Sequence, residues 1–396
     1  MYDVAIIGAG PVGLAFAQSL GGQGLSVAIV ERQAESVLAD PPFDGREIAL
    51  THHSRQILES LGAWDEIPAE SISPLRRAQV MNGHASHALT FNPPKETSDQ
   101  PLGFLVPNHL IRRALFTRFR QADGMSLFAG TALETPTVTR DQATLSLAGG
   151  DTITAKLAIA ADTRFSESRK GQGIGAITHD FKRSMMVCRM AHDAPHHETA
   201  VEWFDYGQTA ALLPVNGQIS SVVITRSAAD IAKLMAMEPA AFEAEMQRSL
   251  ARRKLGTLRL VSTRHAYPLV ATFAHRFAGQ RFAVIGDAAV GMHPVTAHGF
   301  NLGLAGMAIL AAELKAAGVE AGLAGALRRY ESRHRRASFP LFAGTNAVAT
   351  LYSKESPPAR IARHAIIGLG SALPPARRAI SAMLTDRRDG GLATAL

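Results

Sequence analysis

Cysteine is nearly absent: Cys188 is the single one in 396 residues. That excludes an internal disulfide and a thiolate metal site, and leaves Cys188 expected as a small buried hydrophobe. Aromatic residues make up only 6% of the chain, so a formal net charge of +7 comes without the aromatic platform that binds single-stranded nucleic acid. Nucleic acid is not an expected partner. The short basic clusters Arg252-Arg253-Lys254, Arg328-Arg329 and Arg333-His334-Arg335-Arg336 are expected to be solvated helix faces. No apolar run reaches the roughly 18 residues of a spanning segment, and no basic stretch and cleavage site precede the first strand, which predicts a cytoplasmic chain. A metal site is not expected either. The pairs His52-His53 and His196-His197 are adjacent, and adjacent side chains diverge on any regular element. Neither a G-x-S-x-G elbow nor an acid–base dyad is evident, and Glu243 and Glu245 are expected to be solvated.

Glycine is not scarce, and three glycines near the N-terminus are ordered. Asp3 to Ile7 is an apolar run of strand length that enters Gly8-Ala9-Gly10-Pro11-Val12-Gly13, the spacing G-x-G-x-x-G. A helical pattern runs to Leu20, and a second apolar run, Leu25 to Val30, delivers Glu31 with Arg32 beside it. That is a βαβ unit in register. The first glycine permits a tight turn, the second lets backbone approach a pyrophosphate at a helix N-terminus, and the third lets helix and strand pack closely. Glu31 stands where a carboxylate accepts hydrogen bonds from a ribose diol. A tight βα turn that binds nothing is the alternative.

Further along, a turn-rich segment at residues 39–45 precedes a short strand, Arg46 to Thr51, and a helix from His53 to Leu61. Alternation at 77–80 and 88–91 around Asn82-Gly83 predicts a β-hairpin, and Val106 to Ala122 reads as a helix. Short alternating runs between Met185 and Ile224 predict an antiparallel sheet, followed by one or two helices from Ile231 to Arg253. Near the end of the chain, Val284-Ile285-Gly286-Asp287-Ala288-Ala289 leads through His293-Pro294 and His298 to Gly299-Phe300-Asn301-Leu302 and a long helix. Asp287 at a strand tip can accept from hydroxyl groups, and the helix opening near Gly299 points backbone N–H groups at an anion.

Three motifs in this order, Gly8-x-Gly10-x-x-Gly13, Asp162-x-Arg164-x-Ser166-x-x-Arg169 and Gly286-Asp287 with His293-Pro294 and Gly299-x-Asn301, resemble those of the class A flavin aromatic hydroxylases. Phe43 to Thr51 is similar to the D-x-R-x-x-A-L-S segment of the ubiquinone-biosynthesis hydroxylases within that group. The resemblance implies an α/β fold: a Rossmann-like FAD-binding domain with an inserted antiparallel-sheet substrate domain and a helical C-terminal region. Residues 1–73, 104–179 and 265–345 are expected in the FAD-binding domain, 74–103 and 180–264 in the substrate domain, and 346–396 in the helical region. It further implies that Glu31 holds the adenosine ribose, that Arg46 and Asn108 lie beside the cofactor, and that Asp162 and Asp287 contribute to the site. The negative end of a reduced flavin would face the Gly299 helix. The resemblance credits the Asp162 to Arg169 motif with contacts to NAD(P)H, though Thr163 stands where the family usually has glycine; His298 stands where the subgroup commonly has glutamine and is the one candidate for a role near the ring. The implied function is hydroxylation of a polyprenylated phenol or quinol of ubiquinone biosynthesis through a C4a-hydroperoxyflavin, with FAD, NAD(P)H as reductant and O2. Other proteins of that pathway and a peripheral membrane contact are the implied partners. A hydroxylase of soluble aromatics, a geranylgeranyl-reductase-like flavoprotein and a flavin-binding scaffold are the alternatives.

Overall fold

The buried apolar runs on either side of the first glycines pair as parallel strands. β1 (Tyr2–Ile7) lies beside β2 (Val27–Glu31), joined by α1 (Pro11–Ser19). The computed structural model of the protein describes residues 1–83, 88–93, 99–205 and 207–353. Val4, Ala5 and Ile6 in β1 and Val27, Ala28 and Ile29 in β2 are fully buried. Burial of each Val or Ile side chain contributes roughly 1.5–3 kcal/mol, so these strands anchor the core.

Three sheets form. In the first, an eight-stranded sheet, β1 is flanked by β2 and then β8 (Met125–Ala129) on one side, and by β9 (Thr152–Ala160) and β15 (Phe282–Val284) on the other, all four neighbouring pairs being parallel. The order places the C-terminal ends of β1, β9 and β15 side by side, where the Gly8, Asp162 and Gly286 segments emerge. The second is a small antiparallel sheet of β3 (Glu47–Leu50), β7 (Gly103–Pro107) and β4 (Ser73–Leu75), with α2 (His52–Ser60) leaving β3 from an N-cap at Thr51.

The third sheet has nine strands. Its path runs from Val290–Gly291 through β14 (His265–Ala274), β10 (Ala176–His192), β13 (Ile219–Ser227), β12 (Thr209–Val215) and β11 (Thr199–Phe204) to the hairpin β5 (Arg77–Asn82) and β6 (Leu89–Phe91). Strands from both expected insertions thus share one sheet. The β11–β5 pair is parallel, so the sheet is not purely antiparallel as expected. One face packs Met186, Cys188, Met190, Trp203, Leu212 and Ile224 under α4 (Ala228–Ala236) and α5 (Pro239–Ser249).

Several boundaries differ from expectation. Val106 and Pro107 belong to β7, and the following helix, α3 (Asn108–Gln121), begins after the proline, because β3 offers them ladder partners. The strand expected from Met185 starts nine residues earlier, at Ala176, and β14 runs to Ala274 beyond the expected edge at 264. Two long helices follow: α6 (Gly299–Ala317) and α7 (Leu323–Ser353), which continues through Pro340 and across the expected boundary at 345. By length and composition α6 is apolar enough to cross a membrane, but it packs between α1 and α7 in the core. The basic cluster on α7 is solvated as expected at Arg328, Arg329, Arg333 and Arg336, which are exposed, while His334 and Arg335 turn toward the core. Arg329 and Arg333 pair with the buried Glu313 at 2.6 and 2.8 Å, His334 is buried against Gly306, and Arg335 donates to the Ala274 carbonyl. Glu243 and Glu245 are engaged too, accepting from the Leu260 amide and the Arg226 guanidinium. The basic residues beyond Ser353 lie outside the described residues.

Candidate functional site

Close backbone approach dictates glycine at the first motif. A Cβ on Gly13 would sit 2.2 Å from the Gly8 carbonyl oxygen, and one on Gly8, whose φ is +106°, would sit 2.7 Å from that of Ala161. Strand, helix and the segment after β9 can meet only without side chains there. Gly10 is the N-cap of α1 and Pro11 its first residue; no side chain caps this helix end. Its first-turn amides are therefore available to an anion. The opposite rim is Glu31, whose carboxylate accepts from the Ala9 amide at 2.8 Å and the Gln33 amide at 2.9 Å. It thereby shapes the glycine loop and keeps lone pairs for a hydroxyl donor. Arg32, next in the chain, is exposed.

The third motif joins the first through Val12. Cβ atoms built on Gly286 and Gly303 would lie 3.2 and 2.9 Å from its side chain. Gly286 also has φ +59°, so the turn carrying Asp287 needs glycine twice over. Asp287 has a protein partner that the sequence does not reveal: Arg164 Nη2 donates to its carboxylate at 2.8 Å while Nη1 donates to the Val270 carbonyl at 2.7 Å. Arg169 is buried, and its Nη1 donates to the Ala288 carbonyl at 2.6 Å and the Arg164 carbonyl at 3.3 Å. The two arginines of the middle motif thus fasten the Gly286–Ala288 turn. Thr163 accommodates its side chain, since its φ is not positive, and its Oγ1 accepts from the Phe165 amide. Asp162 stands against Gly8, and its Oδ1 is buried without a partner among the described residues.

A second cluster centres on Asp44, which sequence reasoning passed over. Its carboxylate receives Arg46 Nη2 at 2.6 Å and Asn108 Nδ2 at 2.7 Å; the Tyr267 hydroxyl donates to its carbonyl at 2.7 Å. Burial alone would raise the Asp44 carboxyl, but the Arg46 charge and the hydrogen bonds outweigh it and hold it below the ordinary carboxylate range. Arg46 lies over the Tyr267 ring. Asn108, together with Arg46, is thus bound into a protein network. Arg112, one turn further along α3, bonds Gln33 at 3.0 Å and lies within electrostatic reach of Glu31, Asp44 and Arg46. Only the helical offset from Asn108 could have signalled it.

Other candidates serve the fold locally. Asn301 accepts from the Thr51 amide at 3.1 Å and donates to the Ala49 carbonyl at 2.8 Å, so its side chain ties α6 to β3. Gly299 opens α6 and Leu302 packs against the core. Pro294 is exposed at the start of the short turn Pro294–Thr296, which His293 caps by accepting from the Val295 amide. His298 is the N-cap of α6, with its Nδ1 bonded to the Thr296 carbonyl. Burial, then the Arg164 charge and His179, drive the His293 imidazole down to about 4, so it is neutral at pH 7.

Against known proteins, residues 1–340 match the family described as FAD binding domain. The chain is 43% identical to the ubiquinone hydroxylase UbiM of Neisseria meningitidis over 97% of this chain and 84% of that protein. It is 32% identical to the ubiquinone hydroxylase UbiL of Rhodospirillum rubrum over 95% and 87% of the two chains. Among solved structures, p-nitrophenol 4-monooxygenase PnpA from Pseudomonas putida superposes with a TM-score of 0.79 over 98% of this chain and 99% of its own, at 18% identity, which speaks to the fold. The glycine cradle, the Asp287 turn and these likenesses converge: the chain belongs to the FAD-dependent monooxygenase family of the ubiquinone hydroxylases.

Proposed function

We propose that the chain hydroxylates the aromatic ring of a polyprenylated phenol or quinol on the route to ubiquinone, with FAD as cofactor, NAD(P)H as reductant and O2 as oxygen donor. The observation that carries this reading is 43% identity to a protein named as a ubiquinone hydroxylase, sustained over 97% of the chain and therefore over both large sheets. A demethoxyubiquinol-type ring is the finer substrate assignment we favour, supported by 28% identity to the 3-demethoxyubiquinol 3-hydroxylase of Escherichia coli over 93% of the chain.

The residues present fit FAD. Gly8 and Gly13 leave a cradle that a Cβ would fill, and Asp162 offers a buried carboxylate oxygen without a partner. In this reading Glu31 receives the ribose hydroxyls, the uncapped amides of α1 and the Arg46 and Arg112 guanidinium groups meet the pyrophosphate, and Asp287, oriented by Arg164, receives the ribityl hydroxyls. The N-terminal end of α6, from Gly299 to Leu302, supplies a positive helix dipole for the anionic end of the ring system. Bound FAD supplies the activation of oxygen; the protein orients the substrate ring and excludes water. We assign the eight-stranded sheet with its helices to cofactor binding and the nine-stranded sheet to the substrate.

A polyprenyl substrate resides in a bilayer, and the C-terminal sequence is suited to meet one. From Pro340 to Leu396 it carries seven basic residues, Arg377, Arg378, Arg387 and Arg388 among them, against three acids, a balance of +4. This part of the reading is peripheral, salt-sensitive contact with anionic lipid on the cytoplasmic side. Two experiments test the function. Quinone profiling of a deletion strain should show an intermediate lacking one ring hydroxyl, and the purified yellow protein should couple NAD(P)H oxidation to O2 uptake with a prenylated phenol. An unchanged quinone pool refutes the pathway, and O2 uptake indifferent to the phenol refutes the reaction.

A further inference from the structure

The nine-stranded sheet has a second face, opposite the one covered by α4 and α5, and pairing register defines what it presents. Directly paired residues point to the same side. Val187 pairs with His265 and Val223, Val223 with Ala211, Ala211 with Glu202, and Glu202 with Val80. At the β10 end this face meets the Asp44 segment: a Cβ on Gly45 would touch His265 and Val187, and Arg189 reaches Glu47 on β3 at 2.8 Å. At the β5 end, Val80 and Ala78 pack with Leu75 and Leu102. Between these ends Ala200, Glu202, Ala211, Leu213 and Val223 are half-buried, whereas Trp203, Ala210, Leu212 and Val222 on the other side are buried. The face is approached by protein but not filled by it.

Glu202 is the one carboxylate in the middle of this lining. Its neighbours in the lattice of side chains are Val80 across to β5, Ala211 across to β12, and Ala200 and Phe204 along its own strand, with Tyr352 of α7 stacked on Phe204. Among the described residues no hydrogen bond or ion pair reaches it, and the charged pair on the same face, Arg189 with Glu47, stands three strands away, roughly 14 Å at the usual strand spacing. A carboxyl in such surroundings is costly unless it meets a ligand. Its side chain keeps some contact with solvent, yet protein atoms crowd it closely, and that desolvation alone pushes it up to about 8.

We propose that Glu202 is the residue that meets the hydroxyl group of the aromatic substrate, and that its carboxylate takes the hydroxyl proton as the ring is attacked. The O–H bond breaks, its electron pair stays on the substrate oxygen and enriches the ring, and the proton resides on a Glu202 carboxylate oxygen. The new C–O bond takes one atom of O2; the O–O bond breaks and the second atom leaves as water, with the two electrons coming from NAD(P)H through bound FAD. The ring carbon then loses its own proton to water and Glu202 returns the held proton to the substrate oxygen, so the residue ends as it began. A base with an affinity for protons between that of an ordinary carboxylate and that of a phenol is matched to this transfer. The apolar neighbours seat the ring, and the single carboxylate fixes which side of it carries the hydroxyl.

The proposal rests on the reading of the substrate as a hydroxylated prenyl ring. The test uses the full-length FAD-loaded protein and 2-geranylphenol in detergent, comparing the parent with Glu202→Gln and Glu202→Leu. Both variants should keep parental FAD content, and their Tm should equal or exceed the parent's, since each removes a desolvated carboxyl and neither loses a partner among the described residues. Their kcat should fall about 100-fold or more, the usual range for loss of a positioned base, with KM within a few-fold of the parent. The parental rise of kcat/KM with pH near 8 should vanish in both. Parental kcat and pH profile in Glu202→Gln overturn the proposal, as does activity lost only in step with FAD or Tm. If the parent itself never couples O2 uptake to the phenol, the functional reading fails, and this proposal with it.

Discussion

Replacing Arg169 by lysine separates two readings of the middle motif. By resemblance this segment is associated with the pyridine nucleotide, but Arg169 is 3% exposed and its guanidinium holds the turn that carries Asp287. Lysine keeps the charge and loses the planar fork. The bond to the Ala288 carbonyl, 2.6 Å long and charge-assisted, is worth about 1.5–3 kcal/mol, and the longer one to the Arg164 carbonyl at 3.3 Å about 1 kcal/mol or less. Ala288 is fully buried, so water does not replace the donor cheaply. We expect Arg169→Lys to lower unfolding stability by about 3 kcal/mol and to weaken FAD retention. KM for NAD(P)H should not change, because the side chain does not reach the surface. Denaturant titration followed by flavin fluorescence, with steady-state kinetics on the same preparation, measures all three. A raised KM for NAD(P)H with parental stability would refute the reasoning.

Glu31→Arg should yield colourless protein, since it removes two bonds that shape the glycine loop as well as the proposed ribose acceptor; flavin content of the purified protein decides it. Gly13→Ala places a methyl 2.2 Å from the Gly8 oxygen, and overpacking of this kind costs about 1–3 kcal/mol, to be read as a lower denaturation midpoint even without added FAD. His334 is buried, with its imidazole driven down to about 4 from 6.5, so its folded form resists protonation. Its contribution is whole above pH 6.5 and is lost as pH falls toward 4, by about 3 kcal/mol over that window. Glu202 has the opposite sign, its stability contribution falling as pH rises from 4.5 to about 8. Stability-against-pH curves of His334→Leu should fall less steeply between pH 6.5 and 4 than the parent's, with the remaining acid limb carried in part by His293. Finally, replacing Arg377, Arg378, Arg387 and Arg388 by glutamine should reduce sedimentation with anionic vesicles at low salt; equal sedimentation clears these four of membrane contact.

The glycine spacing, the strand runs around it and Glu31 were legible because βαβ chemistry is local: each requirement falls within one turn or one strand of the next. Asp287 and the Gly299 helix were legible for the same reason. The hairpin at 77–91 was readable as a hairpin, but its parallel pairing with β11 was not, since no local pattern records which distant strand lies alongside. Asp44 was missed because its importance comes from Arg46, Asn108 and Tyr267 arriving from three separate elements. The pairing of the exposed Arg329 and Arg333 has the same origin: a charge run does not record that a buried Glu313 on another helix faces it. Glu202 shows the division most sharply. Its sequence neighbours mark an ordinary strand, while cross-strand register surrounds it with Val80 and Ala211 and sets it without a hydrogen-bond or ion-pair partner among the described residues. Local geometry is written in short-range spacing; the environment that sets what a side chain can do is assembled by contacts across the chain, and only the tertiary structure decides it.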